Sequence, residues 1–480
     1  MSDPAILGKP LLDGTLVSRA PGFRVLGTRK PVLLIEPETG CWGQASKLAL
    51  QIYRELNRPD TYGNLKRKYA DYPNLGQTLL DLFSMGALHF SGRRSPKAAL
   101  PANAPQDSLF LAFHLAQGCN FACTYCYNSS TSDKKSFMPA SIALDIIETA
   151  CLRSSAKRLF VDFLGGEPLL FFDVMREIIE KGQHVAQRYG KKIGWMVQTN
   201  GLLLDKDKAL FLRDNNVGTG VSIDGPSFIH DASRRSAGGQ GTHAIVEKNF
   251  LMARKAGLEA SPLAVIWNPA NFVPVLEYFI GVLGVRTMRF NRFSRLGRAR
   301  ECRLEEFSAS LYHKGFMDMV HRAIEIAADS GPLRIDDLRW MLRSIIYRDA
   351  GFMCMRSPCG MGEAILAFAP DGSVYACEEH EERTDALMRL GNYHDFSWEE
   401  PLKNEALQKL KKRNINDIPK CSRCLFRFFC GGGCTHKSLA HFGELRREDP
   451  QCRFYELTFP ALMRMACSIP QLTQFLDIGG

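Results

Sequence analysis

The chain has 480 residues, 45% hydrophobic and 23% charged, which excludes a disordered chain and leaves room for about two to four domains. The N-terminus lacks a basic stretch followed by an apolar run, and no segment approaches the roughly 18 consecutive apolar residues of a membrane span, so a cytoplasmic protein is expected. Fifteen cysteines in that setting point to metal or redox chemistry rather than disulfides, and any that are thiolates on metal offset part of the +10 formal charge, which makes it a weak argument for nucleic acid.

Residues 1–95 read as a first unit. Phe23-Arg-Val-Leu and residues 31–36 have the pattern of two short strands around a turn at Gly27. Residues 41–56 show helical periodicity through Leu48, Leu50, Ile52 and Tyr53. Two more helices are expected at 62–69 and 75–83, and a closing strand at 87–90. A Pro- and Ala-rich stretch, 93–107, follows as a linker. Two strands, three helices and a wing-like strand resemble the PqqD-type peptide-recognition domain, a small winged-helix fold. A DNA-binding winged helix and an enzyme-specific cap share that pattern.

Between 108 and 300 short apolar strands alternate with helices. Strands are expected at 109–116, 159–164, 194–199, 219–223, 261–267 and 287–293, with helices such as 142–150, 174–189 and 206–215 between them, which implies a parallel sheet covered by helices. The first strand ends in Cys119-Asn-Phe-Ala-Cys123-Thr-Tyr-Cys126, three cysteines at CxxxCxxC spacing with no fourth nearby. Three thiolates can hold three irons of a cubane [4Fe–4S] cluster and leave the fourth iron open to a small ligand. This arrangement, with Tyr125 before the last cysteine, resembles the signature of the radical S-adenosylmethionine (SAM) superfamily. The resemblance implies an open (β/α)6 partial barrel of TIM type, SAM on the open iron, and reductive cleavage of SAM to a 5′-deoxyadenosyl radical.

Asp162-Phe-Leu-Gly165-Gly166-Glu167-Pro168 follows the second strand and is similar to the GGEP motif of that superfamily. Two glycines there let a ligand approach the backbone, and Glu167 offers an acceptor for the SAM ammonium. Val197-Gln198-Thr199-Asn200-Gly201 and Val221-Ser222-Ile223-Asp224-Gly225 end the next two strands. By the same resemblance Ser222 and Asp224 contact the ribose hydroxyls or the SAM carboxylate, and Gln198 and Asn200 point toward the substrate side. Tyr125, Gly165, Gly166, Glu167, Pro168, Gln198, Asn200, Ser222 and Asp224 together make the expected cofactor pocket. The arginine run from Arg286 to Arg303 reads as a solvated face with one inward member able to pair with a carboxylate. His114, inside an apolar strand, reads as a core histidine.

Residues 301–350 are mostly helical, a bridge to a third unit at 351–460, after which 461–480 form a tail. In the third unit Cys359 is followed by Gly372, Cys377, and then Cys421-x2-Cys424-x5-Cys430-x3-Cys434-x17-Cys452. These gaps resemble the seven-cysteine SPASM domain of peptide-modifying radical SAM enzymes; thiolates without histidine favour iron–sulfur over zinc, with a zinc ribbon as the competing reading. Cys354 offers an eighth ligand. Similarity to the sulfatase-maturing members implies one auxiliary cluster on Cys354, Cys359, Cys377 and Cys434 and a second on Cys421, Cys424, Cys430 and Cys452, three [4Fe–4S] clusters in all. Cys41, Cys151, Cys302 and Cys467 fit no pattern and read as small buried residues. Glu378, where the sulfatase-maturing enzymes carry an aspartate base, is either a general base or a turn cap or arginine partner.

The combined expectation is an α/β chain: an N-terminal winged-helix-like domain, a partial barrel and a cysteine-rich iron–sulfur domain. The function it implies is SAM-radical modification of a ribosomally made precursor peptide held by its leader, with a thioether or other intrapeptide cross-link as product. Electrons come from a flavodoxin- or ferredoxin-type donor, and neither nucleic acid nor membrane is a partner. The alternatives are a formylglycine-forming sulfatase maturase and, from a different class, an iron–sulfur winged-helix DNA sensor.

Overall fold

A computed structural model describes residues 11–27, 31–95, 107–301, 307–349, 352–379 and 384–479. Most of the 93–107 linker, together with Cys302 and Arg303, lies outside the described residues.

The first unit contains strands β1 (Leu16–Arg19), β2 (Arg24–Leu26), β3 (Val32–Glu36), β4 (Cys41–Ala45), β5 (Asp60–Thr61) and β6 (Leu88–Phe90), with helices Lys47–Glu55, Tyr62–Lys68 and Leu75–Ser84. They make two three-stranded sheets, ordered β5-β1-β6 and β2-β3-β4. The helix expected over 41–56 is therefore shortened: its first five residues pair with β3, and Ser46 ends the strand by accepting a hydrogen bond from the Ala49 N–H at 3.0 Å as the helix N-cap. Val17, Leu34, Ile52, Leu79, Leu82 and Leu88 form a core of their own. Alternation along β3 turns Leu34 into that core and Leu33 and Ile35 into the main core of the molecule. β3 thus serves as a wall between two interiors.

The unit is also fastened at its β3–β4 turn. Trp42 donates its indole N–H to the Ile345 carbonyl at 2.7 Å, Arg348 donates to Thr39 O at 2.9 Å, and Arg427 pairs with Glu38. The basic residues of helix Tyr62–Lys68 are occupied within the unit, Lys66 by Asp13 and Lys68 by Glu55.

The remainder is organised by one ten-stranded sheet. β7 (Ser108–Ala116), β8 (Arg158–Gly165), β9 (Lys192–Thr199), β10 (Gly218–Ser222), β11 (Ala260–Ile266) and β12 (Thr287–Arg292) are parallel neighbours in sequence order. Their boundaries lie within two residues of those expected. Helices such as Ala140–Arg153 and Phe172–Arg188 cover the outer face, where Phe163, Val197, Val221, Ala264 and Phe290 are buried, while the alternate residues turn inward and are only partly buried. The barrel stays open because β7 and β12 do not pair with each other. β12 is extended by β13 (Arg334–Ile335), and β7 by β14 (Ile365–Phe368), β15 (Ser373–Tyr375) and β16 (Arg389–Asn392).

β14 runs parallel to β7 with Phe368 opposite Phe113, so the cysteine-rich segment begins as a continuation of the barrel sheet. The divisions drawn at 300 and 350 cut through one continuous layer. The tail expected from 461 is instead the second half of helix Cys452–Ser468, which runs through Pro460 and buries Leu462 and Met463 completely. Among the described residues no helix is long and apolar enough to cross a membrane.

Truncating the completely buried Leu79 to alanine is expected to cost the first unit about 2–5 kcal/mol. Calorimetry should then show a low-temperature transition moving down while the main transition, which reports the barrel, stays in place.

Candidate functional site

The loop after β7 carries Cys119, Cys123 and Cys126. It has little regular structure, so its backbone groups need partners from elsewhere. Cys119 N donates to Thr131 O at 3.1 Å, Ala122 N to Arg235 O at 2.8 Å and Thr124 N to Ser233 O at 3.0 Å. From below, Gly166 N donates to Ala116 O at 2.6 Å and Glu167 N to Gly118 O at 2.9 Å. A Cβ on Gly165, whose φ is +124°, would land on the Ala116 carbonyl oxygen, and one on Gly166 would land on that of Gly118. Here the cysteine loop itself approaches the backbone of the double glycine.

Glu167 and Asp224, expected to face the cofactor, are both fully buried and already committed. Glu167 accepts from Leu169 N (3.0 Å) and Thr199 Oγ1 (2.6 Å) on one oxygen and from Asn200 N (2.7 Å) on the other, tying the ends of β8 and β9 together. Burial pushes its carboxyl up to about 7 against those hydrogen bonds. Pro168 opens the short 3-10 turn that follows.

Asp224 accepts the Val265 N–H at 2.9 Å on Oδ1; its Oδ2 takes the Tyr125 hydroxyl and forms an ion pair with Arg234 at 3.1 Å. Arg234 in turn lies over the Tyr125 ring, 5.3 Å from its centroid. Tyr125 therefore anchors the cysteine loop to a buried charge pair. Asn200, expected on the substrate side, turns to the loop: its Nδ2 donates to Asn120 Oδ1 at 2.7 Å and reaches Cys119 Sγ at 3.8 Å. Ser222 stands half-buried at the end of β10.

Inside the open barrel is a cavity of 1620 Å³. Gln198 lines it, and its amide lies where a Cβ on Gly220 would stand. Asp162, Arg289, Cys377 and Glu378 complete its inner end. One oxygen of Asp162 is buried without a hydrogen-bond partner, and burial together with the neighbouring Glu378 carboxylate pushes this carboxyl well up. Burial likewise raises Glu378, with Arg289 opposing. His114 is buried as expected; desolvation pushes its imidazole down to about 4 and the Glu378 backbone opposes that.

The arginine run is not a solvated face. Arg289 enters the cavity with Trp340 5.0 Å beneath it, Arg292 lies 4.3 Å from the Phe454 centroid, and Arg298 and Arg300 bond to carbonyls of other segments. These arginines are taken up by packing against aromatic rings and by carbonyls of the cysteine loop and of helix Thr435–Phe442.

The thiols fall into three groups. Cys119 lies within electrostatic reach of Cys123 and Cys126; burial pushes Cys119 up to about 12 and Cys123 up to about 11. Cys377 has Cys354, Cys359 and Cys434 around it, and Cys430 has Cys421, Cys424 and Cys452. Cys354 opens onto the cavity. Among the described residues no three His, Cys, Asp or Glu side chains converge on a single point as one zinc would require. A cubane instead takes each thiolate on a separate iron, and sulfur-only donor sets suit it. The three-thiol group and the two four-thiol groups are donor sets that fit iron–sulfur clusters. Of the unpatterned cysteines, Cys41 and Cys151 are buried and Cys467 is half-buried.

Sequence reasoning gave no role to Asp162, Arg234 or Arg298; Arg289 was one of two candidates, with Arg292, for the inward arginine of its run, and it is Arg289 that lines the cavity. Asp162 carried a readable signal, a carboxylate at an inward position of an otherwise apolar strand; Arg234 and Arg298 carried none, since their partners are distant in sequence.

The Radical SAM superfamily pattern matches residues 114–270, and an iron–sulfur cluster-binding domain, SPASM, matches 359–425. A cysteine-type anaerobic sulfatase-maturating enzyme of Clostridium perfringens is 27% identical over 379 residues, 74% of this chain and 97% of that protein. The radical SAM cyclopropyl synthase TigE of Paramaledivibacter caminithermalis is 23% identical over 449 residues, 87% of this chain and 86% of that one. Two solved folds are similar. Native anSMEcpe with bound AdoMet and Cp18Cys peptide has a TM-score of 0.64 at 24% identity, covering 75% of this chain and 99% of that one. Streptococcus suis SuiB bound to precursor peptide SuiA has a TM-score of 0.54 at 12% identity, covering 91% of this chain and 99% of that one. The matches imply SAM and [4Fe–4S] clusters here.

Replacing Asp224 by asparagine leaves Arg234 buried without its counter-charge, a loss of about 3–5 kcal/mol. The variant should lose about four irons, those of the cubane at the CxxxCxxC loop. Iron analysis beside the melting temperature checks both; full iron with an unchanged Tm would show that the pair does not hold the loop.

Proposed function

We propose that this radical SAM enzyme, with its SPASM domain, modifies a ribosomally made precursor peptide whose leader is held by residues 11–95. Cys119, Cys123 and Cys126 would hold the SAM-binding cluster, and the two other thiol groups would hold auxiliary clusters. When bound, the first cluster supplies one-electron reduction of the SAM sulfonium and so a hydrogen-abstracting radical. A flavodoxin- or ferredoxin-type protein would supply that electron.

The observation that carries the reading is the first unit, with its own core docked against the auxiliary-cluster segment through Arg427 and Glu38. The alignment with the clostridial sulfatase maturase spans 97% of that enzyme but leaves a quarter of this chain unmatched. The fold likeness to SuiB, in a structure with its precursor peptide, spans 91% of this chain and so reaches into the first unit. Among the described residues β2 pairs on one edge only, with β3, and an extended leader can add to the other as a strand. That tether raises the effective concentration of the peptide core at the barrel.

Within the cavity the chain's own residues bind and orient the substrate. Two inward positions of β10 are glycine, Gly218 and Gly220, and the space beside Gly220 is taken by the Gln198 amide, which is thereby presented to the cavity. Gln198 and Arg289 offer donors to peptide carbonyls, and the unpartnered Asp162 oxygen offers an acceptor to a peptide N–H. Glu378, whose carboxyl is raised by burial, takes the substrate proton at its carboxylate beside Cys377. The identity to sulfatase maturases supports a second reading, oxidation of a cysteine or serine to formylglycine in the same cavity.

Deleting residues 1–95 separates the two. Loss of turnover on a leader-bearing peptide, restored when residues 1–95 are supplied in trans, supports the first reading; unaffected turnover on a leaderless peptide supports the second. Reconstituted protein should carry about twelve irons per chain, and a count near four would remove the auxiliary clusters. Glu378→Gln should lower peptide turnover by about 10²–10⁴-fold while deoxyadenosine still forms. Because a base works deprotonated, wild-type turnover should rise with pH through a value above the usual carboxylate range, and the variant should lose that limb.

A further inference from the structure

Past the end of β12 the segment 292–300 touches two parts of the molecule that the sequence places far apart. On one side it holds the cysteine loop. The backbone N–H of Arg298 donates to Cys126 O at 2.9 Å, its Nη1 to Cys123 O at 2.8 Å, and its Nη2 to Ser130 O. Gly297, at φ +51°, makes that approach possible, since a Cβ there would land on the Tyr127 carbonyl oxygen.

On the other side the segment holds the auxiliary-cluster region. Arg292 donates to Gln451 Oε1 at 3.2 Å and Tyr455 OH at 2.9 Å, and Gln451 returns a bond to Phe293 O at 3.0 Å. Arg300 donates to Ala440 O at 2.8 Å. Gln451 directly precedes Cys452, and Ala440 lies in the helix Thr435–Phe442, whose N-cap is Cys434. Both contacted elements therefore begin at a candidate cluster ligand.

We propose that residues 292–300 form a strap that positions the SAM-cluster loop against the auxiliary-cluster region, with Arg298 as its positioning residue. The inference rests on the reading of Cys119, Cys123 and Cys126 as cluster ligands. A planar guanidinium can reach two carbonyls at once in a fixed geometry; an ammonium is a point charge and cannot. Its two bonds fix the backbone of one ligand directly, and its own N–H fixes a second. Its positive charge beside the thiolates favours the reduced, more negative cluster and raises the potential.

The test uses the full chain, reconstituted anaerobically, as wild type, Arg298→Met, Arg298→Lys and the surface control Arg322→Met. Redox titration followed by electron paramagnetic resonance, with and without SAM, reads the loop cluster directly and needs no peptide. Arg298→Met is expected to lower the reduced-to-oxidised ratio at a given potential about tenfold, 59 mV for one electron, and to weaken the spectral change SAM induces. Arg298→Lys should recover the potential more than the spectral change, because it restores charge without the two-carbonyl grip. Loss of only the loop cluster's iron from Arg298→Met supports the strap equally.

A potential and a SAM-induced change in Arg298→Met that match Arg322→Met would overturn it. Should Arg298→Met fail to fold, Gly297→Ala keeps the guanidinium but pushes the turn off the loop; wild-type behaviour in that variant would likewise overturn the strap. A wild-type chain that binds iron at the loop yet cleaves no SAM defeats the functional reading, while the potential still decides the strap.

Discussion

A loop that holds three thiols around a cluster has no ladder of its own to satisfy its peptide groups, and that constraint orders the centre of this protein. Each donor and acceptor left open must be met from outside. Here the carbonyls of Ala116 and Gly118 are met by the β8 terminus at Gly166 and Glu167. The N–H groups of Ala122 and Thr124 are met from the turn at Ser233 and Arg235, and the carbonyls of Cys123 and Cys126 from Arg298. The loop is thus shaped by the ends of strands that are scattered in sequence and adjacent only in a parallel sheet. Absence of a side chain at Gly165 and Gly166 is what permits the closest of these contacts.

The charged residues nearest the loop follow from the same need. Asp224 and Arg234 are among the most buried ionisable groups in the chain, and neither is free. Such a pair is stable only when both members remain, because each alone would be an uncompensated charge in a dry site. Its value is positional: through the Tyr125 hydroxyl it fixes the residue between the second and third cysteines. Glu167 does comparable work as a tie between β8 and β9, leaving the free polar groups, Asp162 and Gln198, on the inward face of the barrel.

The second organising fact is that the sheet does not end with the barrel. β14 adds to β7 in parallel and the chain returns through β15, so Cys377 and Glu378 arrive at the inner end of the cavity with Asp162 and Arg289. A cysteine-rich region attached by a flexible linker could not guarantee that placement. Hydrogen bonding along β7 does so, with the 292–300 segment holding the opposite edge.

The sequence by itself determined the parallel alternation from 108 to 300, the CxxxCxxC motif, the later cysteine spacing and the edges of the barrel strands, because these depend on local periodicity and on gaps along the chain. It misjudged 41–45, where pairing with β3 overrides helical periodicity, and the tail, where a buried face extends a helix past residue 460. It could name Glu167 and Asp224 but not see that their oxygens were taken, since their partners Thr199, Asn200, Tyr125 and Arg234 meet only in the folded chain. Tertiary structure alone decided which arginines leave the solvent, which thiols gather, and which polar atoms face the cavity. Those outcomes are set by burial and hydrogen-bond satisfaction between distant segments, and no window along the chain contains both partners.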